Sequence, residues 1–495
     1  MKEKLKAFFA SRATRHAGGM AAFTALVLAL FYLVNLIVLG FANKFTWYFY
    51  TSEQPEITVS GAADELFRDI DTSEGKVKIR FCDLEENIKA HNQLDYVYET
   101  AVLLRDRYPD LIELDFISLW LEPEQVSAYR VAEDGSENTI TTSTVIIDYC
   151  GEFVLNAPVN FYTLDEKQYA TSYNGEEVFV ANILWVSAKE HPVAYFTGNH
   201  GEEVPYALQR MLIYAGYRVE MLDLSTVRGV PEDAGMLVIA DPIYNFQKAA
   251  EGSVEKAELT FVEDYLARGG QVLVMLAPTY AETMKLPNGK PPHLLTFLSE
   301  YGITVPGGTL IDRESALPGS GGYSLITSYA GEGLGASLGK IATAGGRRTV
   351  LSMATPLSLG ESEKATVSPI LYTSASTTLI GTDGSESSMG SAPVLAMAEL
   401  KEGDGRLLVA GSPYLADIGM VDGASYGNKA LINALLSEMG AERVPAGVEN
   451  IQIDRTAIEN LTMGEVDIYL TVAAVVLPVC ILALCFILLR RRKNH

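Results

Sequence analysis

The sequence predicts an α/β protein flanked by two membrane-spanning helices, its larger part a doubly wound sheet. Three observations predict this. Two runs of 22 residues, 20–41 and 468–489, contain no charge. Between them, short runs that are apolar throughout alternate with amphipathic stretches, the pattern of a parallel sheet covered on both faces. Glycine-rich turns separate the two kinds of run.

At about 1.5 Å per residue, each uncharged run crosses the roughly 30 Å hydrocarbon core of a bilayer. No small-residue cleavage site follows the first run. Asn43, Lys44 and the aromatics Phe45, Trp47, Tyr48, Phe49 and Tyr50 do, as an interfacial belt beyond an uncleaved helix would. Lys2, Lys4, Lys6, Arg12 and Arg15 stand against Glu3 in residues 1–19, and Arg490, Arg491, Arg492 and Lys493 close the chain. Both basic tails are therefore expected in the cytoplasm, with the large intervening part outside the cell membrane. The chain holds 62 acidic and 38 basic residues, a net charge of −24. Between the helices the balance is 29 basic to 61 acidic, or −32. Nucleic acid is excluded as a partner, since it needs a basic footprint.

The first outer part, 45–189, reads as a smaller α/β domain. Strands are expected at 76–82, 111–119, 143–149 and 153–156, with helices at 91–107 and 176–188. In the first helix Leu94, Val97, Tyr98, Ala101 and Leu104 form one stripe. Strand, helix, strand, hairpin and helix is a thioredoxin-like layout, without the redox cysteine pair. Cys82 and Cys150 have no C-x-x-C partner, so redox and zinc chemistry are unsupported, and their pairing depends on the fold. Cys480 and Cys485 lie in the second span.

The central part, 190–445, carries the doubly wound sheet. Strands are expected at 192–197, 217–224, 235–242 and 271–278, with helices at 204–216 and about 254–267. Residues 405–417 and 426–440 supply a further strand and helix. Residues 310–390 read as Gly/Ser-rich loops around short β pieces, with an insertion at 315–345. The glycine run 331–340 fails the phosphate-loop pattern, which needs Gly at Leu334 and Ser or Thr at Ile341, and reads as loop. Residues 446–467 connect to the second span, and 490–495 form the basic tail.

The turn Thr197-Gly198-Asn199-His200-Gly201-Glu202 joins a strand to the helix after it. In open α/β sheets ligands bind at the carboxyl ends of strands. Backbone N–H groups at that helix start suit an anion or hydroxyl, and His200 suits a base or donor. The plainer alternative is a turn whose Glu202 and Glu203 complement the helix N-terminus. Asp241 and Ser412 end other strands on the same rim, so a polar ring of His200, Asp241 and Ser412 is geometrically open. Ser412 lies in GSPY and lacks the nucleophile-elbow pattern. His91, His191 and His293 are scattered, and no metal or cofactor is expected.

Several motifs resemble the GldG-like family of auxiliary components of ABC transporters. Thr197, Gly198, His200, Gly201 and Glu202 match its T-G-H-G-E turn, with Asn199 added. Asp233 to Pro242, Tyr265 to Pro278, LYTSAS at 371–376, GRLLVAGSPYLAD at 405–417 and the helix with Asn428 and Asn433 also match. The resemblance covers about residues 45–489. It implies an extracytoplasmic accessory subunit beside a permease and an ATPase. It also implies a central flavodoxin-like fold resembling class I glutamine amidotransferases without their catalytic cysteine, related to a domain of intraflagellar transport proteins. A glycan or other envelope ligand is the binding role suggested for such domains. The expected function is a non-catalytic accessory subunit that engages a ligand or partner through Thr197, Gly198, Asn199, His200, Gly201, Glu202, Asp241 and Ser412. The alternatives are an envelope-polymer hydrolase and a structural scaffold.

Overall fold

The structure, a computed structural model, describes residues 57–132, 135–164, 167–247, 257–286 and 289–453, together with Ile468. The uncharged segments 20–41 and 468–489 lie outside this set, Ile468 apart. Among the described residues no helix is long and apolar enough to cross a membrane.

The first part is a four-stranded sheet. Strands β1 (Val77–Phe81) and β2 (Ile112–Phe116) run parallel, joined through helix α1 (Asp95–Arg107). Strands β3 (Val145–Tyr149) and β4 (Glu152–Asn156) form an antiparallel hairpin, and the order is β2-β1-β3-β4. Val97, Thr100, Ala101 and Leu104 form the buried stripe of α1, at the spacing of one helix face. Strands β5 (Tyr162–Leu164) and β6 (Ala170–Tyr173) make a second small sheet.

Helix α2 (Gly175–Val186) ties this part to the rest. Eleven of its twelve residues are buried, as a helix apolar almost all round requires. Its two buried acids are both partnered. Glu176 accepts from the backbone N–H and the hydroxyl of Ser60, at 2.8 and 2.7 Å, and Glu177 pairs with Lys429 at 2.8 Å.

The central sheet has eight strands. In chain order they are β7 (Val193–Thr197), β8 (Arg218–Leu222), β9 (Ala234–Ala240), β10 (Gln271–Met275), β11 (Ser328–Tyr329), β12 (Ala365–Tyr372), β13 (Pro393–Leu400) and β14 (Arg406–Ala410). Their spatial order is β11-β12-β13-β14-β10-β9-β7-β8. The run from β14 to β8 is parallel. The pairings from β11 to β14 are antiparallel, which corrects the expectation of a wholly parallel sheet. For β13 and β14 the cause is local: residues 401–405 between them are too few for a crossover, and a short connection can join only antiparallel neighbours.

Alternate strand residues enter two different cores. Ala194, Phe196, Met236, Val238, Leu273 and Met275 face one cluster, and Val193, Tyr195, Leu237, Ile239, Val272 and Val274 the other. Helices α3 (Tyr206–Tyr214), α6 (Gly333–Ala342) and α8 (Asn428–Glu438) cover the first face. Helices α4 (Glu258–Ala267) and α5 (His293–Glu300) cover the second. This is why β7, β9 and β10 are apolar at every position. From β7 the chain steps outward to β8, then back across to β9 and β10. The winding therefore reverses between β7 and β9.

Two further departures from the sequence reading have plain causes. The glycine run 331–340 is largely helix α6 rather than loop. A Cβ on Gly335 would lie 2.7 Å from that of Ala330 and 3.0 Å from the Pro369 carbonyl oxygen. One on Gly339 would lie 2.8 Å from the Tyr329 ring. The glycines, four apart on one face, let the helix lie against β11 and β12. Residues 315–345 thus supply an edge strand and a covering helix of the main sheet. The C-terminal connector also joins the fold, since Ile451–Gln452 pairs with β6. In LYTSAS, the hydroxyls of Ser374 and Ser376, joined by that of Thr377, surround the buried carboxylate of Asp312.

Asp422, 3% exposed at the end of the short helix α7 (Ile418–Asp422), joins three parts of the chain. It forms an ion pair with Arg210 of α3 and accepts from Thr163 of β5 at 2.9 Å. Its carbonyl accepts from Asn450 and Gln452.

Helix propensity alone makes Gly335→Ala stabilising by about 1 kcal/mol. Close packing makes it destabilising by about 1–3 kcal/mol. Thermal melting of the purified variant is expected to show a lowered midpoint; a raised midpoint contradicts the close contact.

Candidate functional site

The turn after β7 is built around Glu202. Asn199 and Gly201 both take left-handed backbone, at φ 75°, which asparagine and glycine tolerate best. The turn then brings Glu202 back toward the strand. Its Oε1 accepts from the Thr197 hydroxyl at 2.8 Å and lies 3.0 Å from His200 Nδ1. Its Oε2 accepts from the His200 backbone N–H at 2.7 Å. Helix α3 begins only at Tyr206, so Glu202 closes the turn and does not cap the helix. The His200 N–H is taken by Glu202 within the turn itself.

His200 is 3% exposed and has both ring nitrogens engaged. Nε2 lies 3.1 Å from Oε2 of Glu258, the first residue of α4. The ring stacks on Phe246 with centroids 3.9 Å apart. The His200 carbonyl accepts from the N–H groups of Ile243 and Tyr244, each at 2.8 Å. A Cβ on Gly201 would lie 2.2 Å from the Ile243 side chain, so only glycine fits under that loop. His293 holds the same loop from the far side through the Phe246 carbonyl at 2.7 Å. The loop thereby packs over the His200 turn beside the winding reversal, the place where open α/β sheets bind ligands.

The electrostatics match this geometry. Burial alone would strip the proton from His200. The hydrogen bonds to Glu202 and Glu258 outweigh burial and push its pKa up to about 9. Burial would likewise raise Glu202, yet the bonds from His200 and Thr197 hold it below its ordinary value. His200 is thus an imidazolium donating from both nitrogens between two carboxylates. Among the described residues Oε1 of Glu258 is buried without a partner, as is the Tyr280 hydroxyl, which burial holds well above the usual phenol range.

The other predicted positions lie on the same rim and do not converge. Asp241, at φ 50°, accepts from the Ala277 N–H at 3.2 Å, and burial raises its carboxyl pKa. Ser412 is fully buried; its hydroxyl donates to the Ser352 carbonyl at 2.5 Å and accepts from the Tyr414 N–H at 3.0 Å. With β9 and β10 between them, the ends of β7 and β14 stand roughly 14 Å apart at the usual strand spacing. Thr197 is fully buried and Gly198 continues the pairing with β8. Asn199 bonds Ser225 on the surface at 3.3 Å. The expected ring of His200, Asp241 and Ser412 is not assembled.

Glu258 was not foreseen. Its one sequence signal is an acid at a helix start, and nothing in spacing links it to a histidine 58 positions earlier. Asp422 gave no signal at all. Among the described residues no cluster of three or more His, Cys, Asp or Glu suits a metal ion. Cys82 is buried and Cys150 exposed, both with free thiols, and burial pushes the Cys82 pKa up to about 12.

The chain thus presents an α/β body in which the loop after β9 packs over the turn after β7. Residues 190–412 match the family described as ABC-type uncharacterized transport system. The match is consistent with the GldG-like resemblance, and the family indicates an auxiliary component of an ABC-type transport system. Among solved structures, the mmIFT52 N-terminal domain is similar at 18% identity and a TM-score of 0.37, over 50% of this chain and 96% of that one. The exo-beta-1,4-mannosidase Op5Man5 from Opitutaceae bacterium strain TAV5 is similar at 12% identity and a TM-score of 0.24, over 72% of this chain and 49% of the enzyme. No curated relative matches.

The ion triad makes stability depend on pH in a calculable direction. Folded His200 keeps its proton to about pH 9, whereas the unfolded chain releases it near 6.5. Between those values the folded state binds more protons, so stability falls as pH rises. The melting temperature is expected to drop across pH 6.5–9, and that drop to shrink in His200→Gln. His200→Ala is expected to cost about 3–5 kcal/mol, because it leaves two buried carboxylates unpaired. A melting curve insensitive to both changes contradicts the triad. Separately, thiol labelling of the native protein is expected to modify Cys150 and to reach Cys82 only after unfolding; equal rates contradict the burial difference.

Proposed function

We propose that this chain is a membrane-anchored, non-catalytic auxiliary subunit of an ABC-type transport system, engaging a partner through its extracytoplasmic domain. The observation that carries this reading is the family match over residues 190–412. Two uncharged 22-residue runs with basic outer flanks support anchoring in the cell membrane, both termini cytoplasmic. The permease and ATPase of the same system are the proposed partners. The division into an N-terminal domain over 45–189 and a central domain over 190–445 is part of the proposal. So are a thioredoxin-like assignment for the first and a flavodoxin-like one for the second, supported by the β2-β1-β3-β4 order and by the two-faced parallel half of the main sheet.

The state of the candidate residues supports a non-catalytic role. A general base needs a free lone pair within reach of substrate. Both nitrogens of His200 are engaged by carboxylates, and the Ser412 hydroxyl donates to a carbonyl. The rim offers instead a surface held rigidly from beneath.

The test is affinity purification of the tagged full chain from solubilised membranes, with mass spectrometry of what accompanies it. Recovery of an ATPase and a polytopic permease in constant ratio is the expected result. A well-folded preparation that recovers neither overturns the proposal.

A further inference from the structure

We propose that the cleft between helix α8 and the run 447–450 binds a small uncharged molecule that presents a hydrogen-bond donor and acceptor side by side, as a primary carboxamide does. This site uses none of the residues of the His200 turn and does not rest on the auxiliary-subunit reading.

Three pieces of chain build the cleft. Residues 421–433 supply the end of α7, the turn after it and the start of α8; Arg347 follows α6; and residues 447–450 complete the wall. Its volume is about 460 Å³ with the solvent of its mouth included, the scale of a small-molecule site. Within α8, Lys429, Ala430 and Asn433 line it, and position 433 lies four and three residues beyond the other two, on one helix face.

Asn433 carries the inference. It is 5% exposed, in a stretch where Leu431, Ile432, Ala434, Leu435 and Leu436 all enter the apolar core. Its backbone carbonyl accepts from the Ser437 hydroxyl, but among the described residues nothing bonds its carboxamide. Buried polar groups in folded proteins are almost always hydrogen-bonded, so an orphan in a cleft marks a place that something else completes. An ordered water is the simplest completion, but it needs about two to four polar partners. The polar side chains around Asn433 are already engaged. Lys429 binds Glu177 at 2.8 Å and Asn450 Oδ1 at 2.7 Å. The Asp422 carboxylate is held by Arg210 and Thr163, and Arg347 pairs with Glu449. Val421, Ala430 and Val448 make the wall partly apolar. A polar head on a short alkyl chain matches such a lining better than water does.

The same pairings set the charge of the occupant. Each cation around the cleft already faces a carboxylate, so an added ion would take one partner and leave another unpaired. An uncharged molecule avoids that. The Asn433 carboxamide holds its C=O acceptor and NH₂ donor in one plane, and a second primary carboxamide meets both at once. Position gives occupancy a consequence. Residues 447–450 run directly into Ile451–Gln452, which pair with β6 of the first part. A molecule held between α8 and this run fastens the run to the central part.

The test uses the full chain in detergent micelles, with propionamide as the probe, read by saturation-transfer NMR and hydrogen exchange. A molecule this small binds in roughly the millimolar range. Saturation transfer to propionamide and protection of 426–433 and 447–453 are expected. Propionate and propylammonium, which carry charge, are expected to give neither. Asn433→Leu removes both hydrogen-bonding groups at similar volume. It is expected to weaken binding roughly tenfold or more, with a melting temperature unchanged or raised, because an unpaired polar group is removed. Should that variant fold poorly, Ala430→Leu fills the cleft, keeps Asn433 and is expected to abolish binding. The proposal is overturned by an absence of transfer to propionamide, by equal transfer to the two ions, or by binding that survives either substitution; the cleft then holds water only.

Discussion

The buried contact of His200 with Glu202 and Glu258 is the constraint on which the working edge of this molecule depends. It joins three pieces of chain that are remote in sequence: the turn after β7, the loop after β9 and the start of α4. A charged imidazole would be costly in a dry interior without partners. Two carboxylates, one already at a helix N-terminus, make the charged form the stable one. Removing any member leaves unpaired charge, so the three stand or fall together. The loop they secure lies at the strand ends beside the winding reversal, over the His200 turn.

Beneath the rim both ring nitrogens of His200 are bonded, while the side chains above it, Ile243 and Tyr244, are turned to solvent. The Asp422 junction acts similarly at a larger scale. By joining Arg210, Thr163 and the 450–452 segment, it makes the first part of the described chain and the central sheet share one buried polar centre.

Much of this fold can be read in the sequence. The runs 193–197, 234–240 and 271–275 are apolar at every position because both of their faces are buried, and that pattern is visible without coordinates. The helix over 333–342 was hidden because glycine propensity points to a loop, whereas close approach to Tyr329 and Pro369 demands glycine in a helix. The antiparallel half was partly legible, since residues 401–405 cannot make a crossover. At the site, the His200 turn and its place on the rim were legible. Its role was not, because the deciding partner, Glu258, arrives only through the packing of α4, and the separation of His200 from Ser412 depends on strand order rather than on motif.

The central claim is that His200 is a buried, doubly hydrogen-bonded cation. Nitrogen-15 NMR of histidine-labelled full chain measures this directly, with His200→Gln assigning the resonance. The account predicts two protonated ring nitrogens at neutral pH and a titration midpoint near 9. A neutral ring with one lone pair, titrating near 6.5, would contradict it and return His200 to the set of residues able to act as a base.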